Sequence, residues 1–230
     1  MEESSVGGDG ERILIANRYW SRTWLNYLRG LNFLKKIVDT HNLASVLELG
    51  GGYGGLGELL LKADARIIYV DVDIPPLAAV ATFYLESVFG VGSVLTYEIS
   101  RKMDVIDIEQ ISSEYMCAVI CPWQLPRVQG QADLFVNFMS FQEMEPDVVA
   151  NYIQLVQRLT RSFILIRNSR HGKPVAERDG EPGVICPVTT DDMIAQFDAF
   201  DVLGRDSHTF GDSYDGFDSE VVCMRRASVG

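Results

Sequence analysis

The stretch LELGGGYGGLGELL occupies residues 47–60 and places six glycines among fourteen residues. Glycine weakens both helices and strands, so its concentration at one point of a chain needs a physical reason. The apolar run at 45–49 predicts a strand, and 56–62 predicts a helix that opens inside the glycine loop. Because glycine leaves the main chain uncovered, this strand–loop–helix pattern predicts a ligand lying directly against the backbone.

The composition is that of one soluble globular domain. The chain has 230 residues, of which 47% are hydrophobic and 23% are charged. A net charge of −12 argues against nucleic acid or an anionic membrane as a partner. No apolar run approaches the roughly 18 residues of a membrane span, and the acidic N-terminus does not resemble a signal peptide. The four cysteines form no C-x-x-C pair, which indicates a reducing compartment. We therefore expect a cytoplasmic protein.

Short apolar segments alternate with helical segments along most of the chain, which predicts an α/β fold. We expect a doubly wound, mostly parallel seven-stranded sheet with a C-terminal antiparallel hairpin, that is, a Rossmann-like fold. The predicted organisation is a flexible tail at 1–10, an N-terminal helical segment at 11–44 and a ligand-binding domain at 45–230. Helices are predicted at 17–41, 56–62, 77–89, 146–159 and 190–197, and strands at 45–49, 66–70, 118–121, 133–139, 163–167, 200–208 and 219–226.

The glycine loop contains two overlapping G-x-G-x-x-G patterns, the first at Gly50, Gly52 and Gly55. No Lys-Ser or Lys-Thr follows the glycines, which excludes a phosphate-binding P-loop. A nicotinamide dinucleotide and S-adenosylmethionine remain, since both place a ribose against a carboxylate at the end of the second strand. The sequence VDVD offers two such carboxylates, Asp71 and Asp73.

Glu48, the penultimate residue of the first strand, distinguishes these two cofactors. A dinucleotide fingerprint keeps this position apolar, because a buried carboxylate there would repel the pyrophosphate. S-adenosylmethionine has no phosphate and instead carries a sulfonium cation and an ammonium group. An acid near the loop therefore favours S-adenosylmethionine.

These residues resemble a known family. The stretch VLELGGGYGG, with Asp71 in the following strand, resembles the first two motifs of the class I S-adenosylmethionine-dependent methyltransferases. The resemblance spans residues 45–225 and includes the final hairpin. Within that class, DIPPLAAVATFYL at 73–85 and FVNFMSFQEM at 135–144 are similar to the sugar O-methyltransferases. The resemblance implies O-methylation of a small polar acceptor such as a sugar.

The resemblance also implies roles for individual residues in cofactor binding. The backbone of Gly50, Gly52 and Gly54 would pass beneath the methionine and ribose, and Glu48 would order the loop or meet the ammonium. Asp71 would hold the ribose hydroxyls, with Asp73 as a competitor for that role. The stretch CPWQLP lies where the class places its adenine, with Trp123 as a flat face and Gln124 as a hydrogen-bonding partner of the base. A buried Trp in a turn is the structural alternative.

Methylation of an alcohol requires a group that removes its proton. Glu143, which follows a predicted strand in the stretch NFMSFQEM, is a candidate general base or sugar-hydroxyl clamp, and a helix cap is its structural alternative. His171 follows the predicted strand at 163–167 and is a second candidate base. We expect His41 to be structural and give His208 less weight. No clustered His/Asp pattern is present, so we expect catalysis without a metal.

The sequence is also compatible with two other functional hypotheses. One is an NAD(P)-dependent oxidoreductase, and the other is a methyltransferase-like domain that binds a partner without catalysis. The sequence does not distinguish a monomer from a homo-oligomer.

Overall fold

The computed structural model describes residues 2–7, 12–176, 178, 183–207 and 218–228. Two short 3₁₀ turns lie at Pro122–Arg127 and Phe141–Glu143. In chain order the other elements are β1 (Arg12–Ile15), β2 (Arg18–Ser21), α1 (Arg22–Ile37), β3 (Ser45–Leu49), α2 (Gly55–Ala63), β4 (Ile68–Val72), α3 (Pro75–Phe89), β5 (Val94–Leu95), α4 (Tyr97–Ser100), β6 (Ile106–Asp107), α5 (Ile108–Ile111), β7 (Cys117–Ile120), β8 (Val128–Gln129), β9 (Ala132–Phe138), α6 (Pro146–Leu159), β10 (Thr160–Ser169), α7 (Thr190–Gln196), β11 (Phe200–Asp206) and β12 (Ser219–Arg226).

The central sheet has the order β11-β12-β10-β9-β3-β4-β7-β5. The six strands from β10 to β5 are parallel, and β12 runs antiparallel to both β10 and β11. This confirms the predicted α/β fold with a C-terminal antiparallel hairpin. The sheet has eight strands rather than seven, because the two-residue strand β5 adds an edge next to β7. Ten of the twelve residues that connect β11 to β12, 208–217 and thus including His208, lie outside the described residues.

Helices cover both faces of the sheet, as the fully buried strands β3 and β9 require. Alternate strand residues enter two separate hydrophobic clusters: Leu47 and Leu49 face one, whereas Val46 faces the other. The first cluster contains the apolar faces of α5, α6 and α7, and the second contains those of α1, α2 and α3. The period-two alternation of the strands thus divides the core into two layers.

The predicted helix at 17–41 is wrong over its first five and its last four residues, because α1 spans Arg22–Ile37. Residues 12–21 form a β-hairpin in which Ile13 pairs with Trp20 and Leu14 pairs with Tyr19. The turn residues Ala16 and Asn17 both have positive φ, 50° and 60°, as a type I′ hairpin turn requires. The helix α1 begins only at Arg22, after Ser21 caps it by accepting a hydrogen bond from the Trp24 amide.

Residues 2–7, which the sequence places in a flexible tail, lie against the domain. The Ser4 amide donates to the Glu58 carboxylate at 2.7 Å, and the Ser21 amide donates to the Glu3 carboxylate at 2.6 Å. Lys62 also donates to the Glu2 carbonyl oxygen. These contacts connect the N-terminal segment to α2 and to the start of α1.

The second sheet strand, β4, starts two residues later than predicted. It spans Ile68–Val72 rather than 66–70, which places Asp71 inside the strand instead of after it. The region 98–115, which carries no clear sequence pattern, contains α4, β6 and α5, and β6 pairs with β8 outside the main sheet. The predicted helices at 146–159 and 190–197 are confirmed within one residue, and Thr189 caps the second of them.

All four cysteines are free thiols, and three of them are buried. Among the described helices, none combines the length and the apolar character that a membrane crossing demands.

The neighbouring residues Val148 and Val149 of α6 provide a matched test of the core. Val149 is fully buried, whereas 39% of Val148 is exposed. We expect Val149→Ala to lower the free energy of unfolding by about 2–3 kcal/mol, because it removes two buried methyl groups and leaves a cavity. Val148→Ala should change it by less than about 0.5 kcal/mol. Urea denaturation measures both, and equal losses would contradict this orientation of α6.

Candidate functional site

The candidate site lies where the order of the sheet strands reverses. From β3 the chain continues to β4 on one side, and β9 pairs with β3 on the other. In doubly wound sheets, ligands bind outside the carboxyl ends of the strands at such a switch point. The glycine loop 50–54 follows β3 there, and residues 139–140 follow β9. The topology therefore places the loop and the end of β9 at the edges of one crevice.

Two positions of the loop, 50 and 52, are occupied by glycine for different structural reasons. Gly50 has φ +81°, and a Cβ atom built on it would lie 2.2 Å from the Ser140 Oγ atom. Only glycine allows this close approach between the loop and Ser140, the second residue after β9. Gly52 has φ +64°, yet a Cβ atom on it would meet nothing within 4 Å. The main chain at Gly52 is therefore open on the side where a side chain would otherwise project.

Two acidic side chains meet beneath this loop. Glu48 on β3 and Asp71 on β4 are paired in the sheet register, and both are fully buried. A Cβ atom on Gly51 would lie 2.4 Å from Asp71 Oδ1 and 2.9 Å from Glu48 Oε2. The two carboxyl groups thus share the space directly under Gly51, which any side chain at that position would occupy.

Glu48 accepts hydrogen bonds from two tyrosine hydroxyls. Tyr27 of α1 donates to Oε1 at 2.9 Å, and Tyr69 of β4 donates to Oε2 at 2.5 Å. Burial raises the pKa of Glu48 to about 7; the two hydroxyls oppose this rise, and the carboxylate of Asp73 adds to it. Near neutral pH, Glu48 therefore holds a proton in part of the molecules.

Asp71 is less well satisfied than its neighbour. Its Oδ1 accepts a hydrogen bond from the Gly51 amide at 3.2 Å, whereas its Oδ2 is buried and has no hydrogen-bond partner among the described residues. Burial holds the pKa of Asp71 well above its ordinary value, and the charges of Glu48 and Asp73 raise it further. Glu48 and Asp71 together form what we call the acidic floor, the pair of buried carboxyl groups beneath Gly51.

Asp73, the second acid of VDVD, lies just beyond the carboxyl end of β4. Its carboxylate accepts hydrogen bonds from the Gly52 amide at 2.8 Å and from the Ile74 amide at 2.7 Å. Its side chain is buried to a lesser degree than that of Asp71, with 6% of the residue exposed. Burial raises its pKa, and the two amides lower it. Of the two acids, Asp73 is the one located beside the open Gly52 backbone.

Trp123 and Gln124 occupy different environments. Trp123 is 54% exposed, and its ring lies edge-on to Tyr97 with the centroids 5.8 Å apart. Gln124 is fully buried: its Oε1 accepts from the Cys121 amide, and its Nε2 donates to the Ser100 hydroxyl. Trp123 is therefore accessible to a ligand. Both polar atoms of the Gln124 side chain are instead used in hydrogen bonds within the protein, which stabilise the turn at 122–127.

Three buried amide side chains hold the strand ends together. Asn137 donates to the Leu49 carbonyl oxygen and accepts from Asn168, and Gln142 accepts from the Ser169 amide. These bonds join the carboxyl ends of β3, β9 and β10. Within this frame Met139 has φ +63°, a conformation that costs energy for a residue with a side chain. The hydrogen bonds of these three amide side chains are thus made within the protein.

The two candidate bases follow neighbouring strands at the same end of the sheet: Glu143 ends the 3₁₀ turn after β9, and His171 lies in the turn after β10. Glu143 forms an ion pair with Lys173, and 44% of its side chain is exposed. His171 is 76% exposed, and its Nε2 atom lies 3.6 Å from the carboxylate of Asp218. Glu143 thus has an ion-pair partner, and His171 lies near a carboxylate without a hydrogen bond to it. Among the described residues, no group of His, Cys, Asp and Glu is arranged to hold a metal ion.

Sequence reasoning missed the contribution of α1. Its first two turns line a cleft of about 310 Å³ beside the end of β9, together with Phe138, Met139 and Arg167. Tyr27 stacks on Phe138 with a centroid distance of 5.3 Å while its hydroxyl reaches Glu48. Tyr69 could have been found, because it lies two residues before Asp71 and therefore faces the same side of β4. Nothing in the sequence indicates the contact of Tyr27.

Comparison with known proteins gives evidence on the fold. No family model matches the chain, and none of the curated proteins is similar to it in sequence. The structure is similar to magnesium protoporphyrin IX methyltransferase (ChlM) from Synechocystis PCC 6803, solved with bound SAH: the TM-score is 0.59 at 13% identity, covering 96% of this chain and 90% of that one.

Two further solved structures share this architecture. The PH0226 protein from Pyrococcus horikoshii OT3 has a TM-score of 0.57 at 14% identity, covering 90% of this chain and 92% of its own. The mitomycin 7-O-methyltransferase MmcR has a TM-score of 0.54 at 14% identity. The match covers 87% of this chain but 54% of MmcR, so the chain spans about half the length of that protein. The chain has the Rossmann-like fold of the methyltransferases.

Proposed function

We propose that the protein is an S-adenosylmethionine-dependent methyltransferase that methylates an oxygen of a small polar acceptor, such as a sugar hydroxyl. The observation that carries this proposal is the acidic floor beneath the open glycine loop. Glu48 and Asp71 are buried directly under Gly51, and Asp73 is bonded to the Gly52 amide.

The charge of this floor separates the two cofactors that a glycine loop allows. Three carboxyl groups surround residues 50–52, and the described contacts of Glu48 and Asp71 include no cationic side chain. A pyrophosphate placed against this loop would be repelled by every one of these carboxyl groups that is ionised, and the low-dielectric environment would strengthen that repulsion. A sulfonium and an ammonium would instead be attracted. This argues against a nicotinamide dinucleotide and supports S-adenosylmethionine.

The shape of the site also fits an adenosyl group. The uncovered backbone at Gly52 permits close approach, Asp73 offers a carboxylate beside it for the ribose hydroxyls, and Trp123 offers an exposed ring for the adenine. The solved structures with this fold include a methyltransferase with bound SAH and a 7-O-methyltransferase. This similarity of fold agrees with the proposal and leaves the acceptor to be identified by experiment.

Bound S-adenosylmethionine would supply an activated methyl group, so this chain's residues must orient the acceptor oxygen and accept its proton. We assign the proton-accepting role to Glu143, with His171 as the second candidate. Glu143 forms an ion pair with Lys173 at the carboxyl edge of the sheet, and a carboxylate is a group that can accept a proton from an acceptor hydroxyl. The exposure of both groups allows an acceptor to reach them.

We also propose a cytoplasmic location. All four cysteines are free, and one of them, Cys186, is exposed. Exposed free thiols persist in reducing compartments.

Asp73 and Asp71 differ in how easily a ribose could reach them. Asp73→Asn should weaken the binding of S-adenosylhomocysteine by about 1–3 kcal/mol, because a ribose hydroxyl loses a charged acceptor. Asp71→Asn should cost less affinity, since this side chain is enclosed beneath the loop. Isothermal titration calorimetry measures both variants. A larger loss for Asp71→Asn would show that the deeper carboxyl contacts the ligand.

The charge of Glu48 should make the affinity for S-adenosylmethionine depend on pH. Glu48 loses its proton as the pH rises through about 7, so the floor becomes more negative with rising pH. The affinity for S-adenosylmethionine, relative to that for the uncharged-sulfur product S-adenosylhomocysteine, should rise by about three- to tenfold between pH 6 and 8. Calorimetry at both pH values measures the ratio.

The matched control for this titration is Glu48→Gln, which mimics the protonated acid and should remove most of the pH dependence. Thermal unfolding confirms that the variant is folded. A ratio that stays constant with pH in the unmodified protein would contradict a role for this floor in binding the sulfonium.

The variant Glu143→Gln tests the proposed base. With labelled S-adenosylmethionine and a panel of hydroxylated small molecules, Glu143→Gln should reduce methyl transfer by about 10²–10⁴-fold. The affinity for S-adenosylhomocysteine should stay within about twofold of the unmodified protein, because Glu143 is assigned to the acceptor side. The parallel variant His171→Gln separates the two candidates: a loss confined to this variant would move the role to His171.

A further inference from the structure

A second cavity lies on the far side of the first turn of α1. It encloses about 550 Å³ between the N-terminal segment, the glycine-loop residue Tyr53 and the outer face of α3. This volume falls within the range of sites that hold small organic ligands. The cleft described above, beside Phe138 and Met139, shares Arg22 and Thr23 with this cavity. The cavity is therefore adjacent to the candidate site rather than remote from it.

The helix α3 forms one wall of the cavity, and it presents apolar side chains there although this face of the helix is exposed to solvent. The helix sequence PPLAAVATFYLESVF contains a single charged residue, and a helix that is apolar all around is normally covered on all sides. Its inner face is buried against the sheet, yet Val80 and Phe83 on the cavity side are 47% and 68% exposed. The exposed stripe continues through Leu77 to Ile74, next to Asp73. This stripe leads from the proposed ribose site to the cavity.

The roof of the cavity is held in place by buried and half-buried bonds. Glu3 accepts from the Ser21 amide at 2.6 Å and from the Tyr53 hydroxyl at 3.3 Å. The Ser4 amide donates to Glu58, which also accepts from Tyr84. The N-terminal segment thus lies across the cavity from the apolar wall and makes the space concave. A concave, roofed space suits a small molecule better than the surface of a second copy of this chain.

We propose that this cavity binds an apolar, flat part of the methyl acceptor, while the hydroxyl-bearing part lies in the cleft beside Phe138 and Met139. The inference rests on the proposed methyltransferase function and specifies its substrate class. The acceptor is then a hydroxylated group attached to an aromatic or alkyl body, which is the chemistry of a glycoside with an apolar aglycone. A free sugar would leave the wall formed by Val80 and Phe83 uncovered.

The test uses N-phenyl-1-naphthylamine, an uncharged aromatic dye whose fluorescence rises in apolar sites. The full chain should bind it saturably at one site. Val80→Trp, which fills the cavity, should weaken binding at least tenfold, and Phe83→Lys should weaken it as well. The matched control is Val91→Trp, since Val91 is 93% exposed in the turn after α3 and does not line the cavity. This variant should bind the dye within twofold of the unmodified protein.

A second arm tests the acceptor class by displacement of the dye. The compound 1-naphthyl β-D-glucopyranoside should displace it, whereas methyl β-D-glucopyranoside should not at the same concentration. Equal displacement by both, unsaturable dye binding, or equal affinity of the Val80→Trp and Val91→Trp variants would overturn the inference. Dye binding that weakens as the protein concentration rises would also overturn it, because a second copy would then cover the wall.

Calorimetry with S-adenosylhomocysteine separates this inference from the function on which it rests. If the protein binds S-adenosylhomocysteine but the dye does not depend on Val80, the inference fails and the proposed function stands. If the dye and the naphthyl glucoside bind in a Val80-dependent way but S-adenosylhomocysteine does not bind, the cavity is a ligand site and the methyltransferase proposal fails. Thermal unfolding of each variant excludes loss of the fold as the cause.

Discussion

The contact between two buried carboxyl groups, Glu48 and Asp71, constrains the rest of the site. They lie on adjacent parallel strands in register, so the sheet itself brings them together. Two ionised carboxylates beneath the same residue, Gly51, in a buried environment would repel each other. The protein accommodates them by raising both pKa values and by supplying two tyrosine hydroxyls and one backbone amide. The arrangement favours a cation above the loop, because a positive charge would stabilise the ionised forms.

The glycines of the loop follow from the same pair. Any side chain at position 51 would collide with both carboxyl groups, and one at position 50 would collide with Ser140. A side chain at position 52 would meet no such neighbour, and the Gly52 amide donates a hydrogen bond to the Asp73 carboxylate. Crowding below the loop and openness above it therefore have separate causes. The crowding below the loop results from the packing of the two acids and of the strand ends. The openness above the loop leaves a surface that a ligand could contact.

The sequence was sufficient for the parts of the fold that depend on local patterns. The strand–loop–helix unit, the alternation of strands and helices, and the antiparallel C-terminal pair all follow from periodicity and glycine spacing. The hairpin at 12–21 was missed because the helical spacing of its aromatic residues conceals a turn set by two positive φ angles. Gln124 looked like a ligand contact because a buried polar side chain has no local signature of its internal partners. Tertiary contacts of this kind are set by the fold and cannot be read from spacing.

The helix α1 links the two halves of the site. Its residue Tyr27 donates to Glu48 in the floor and stacks on Phe138 at the end of β9, and its first turn separates the cleft from the roofed cavity. A shift of α1 would therefore change both the space for an acceptor and the hydrogen bonds that partly offset the high pKa of Glu48. Losing the Tyr27 bond would raise that pKa further, since a hydroxyl donor stabilises the ionised form. The position of α1 and the charge presented to a cation above the loop are thus physically coupled, although the residues concerned lie in segments that sequence patterns treat as independent.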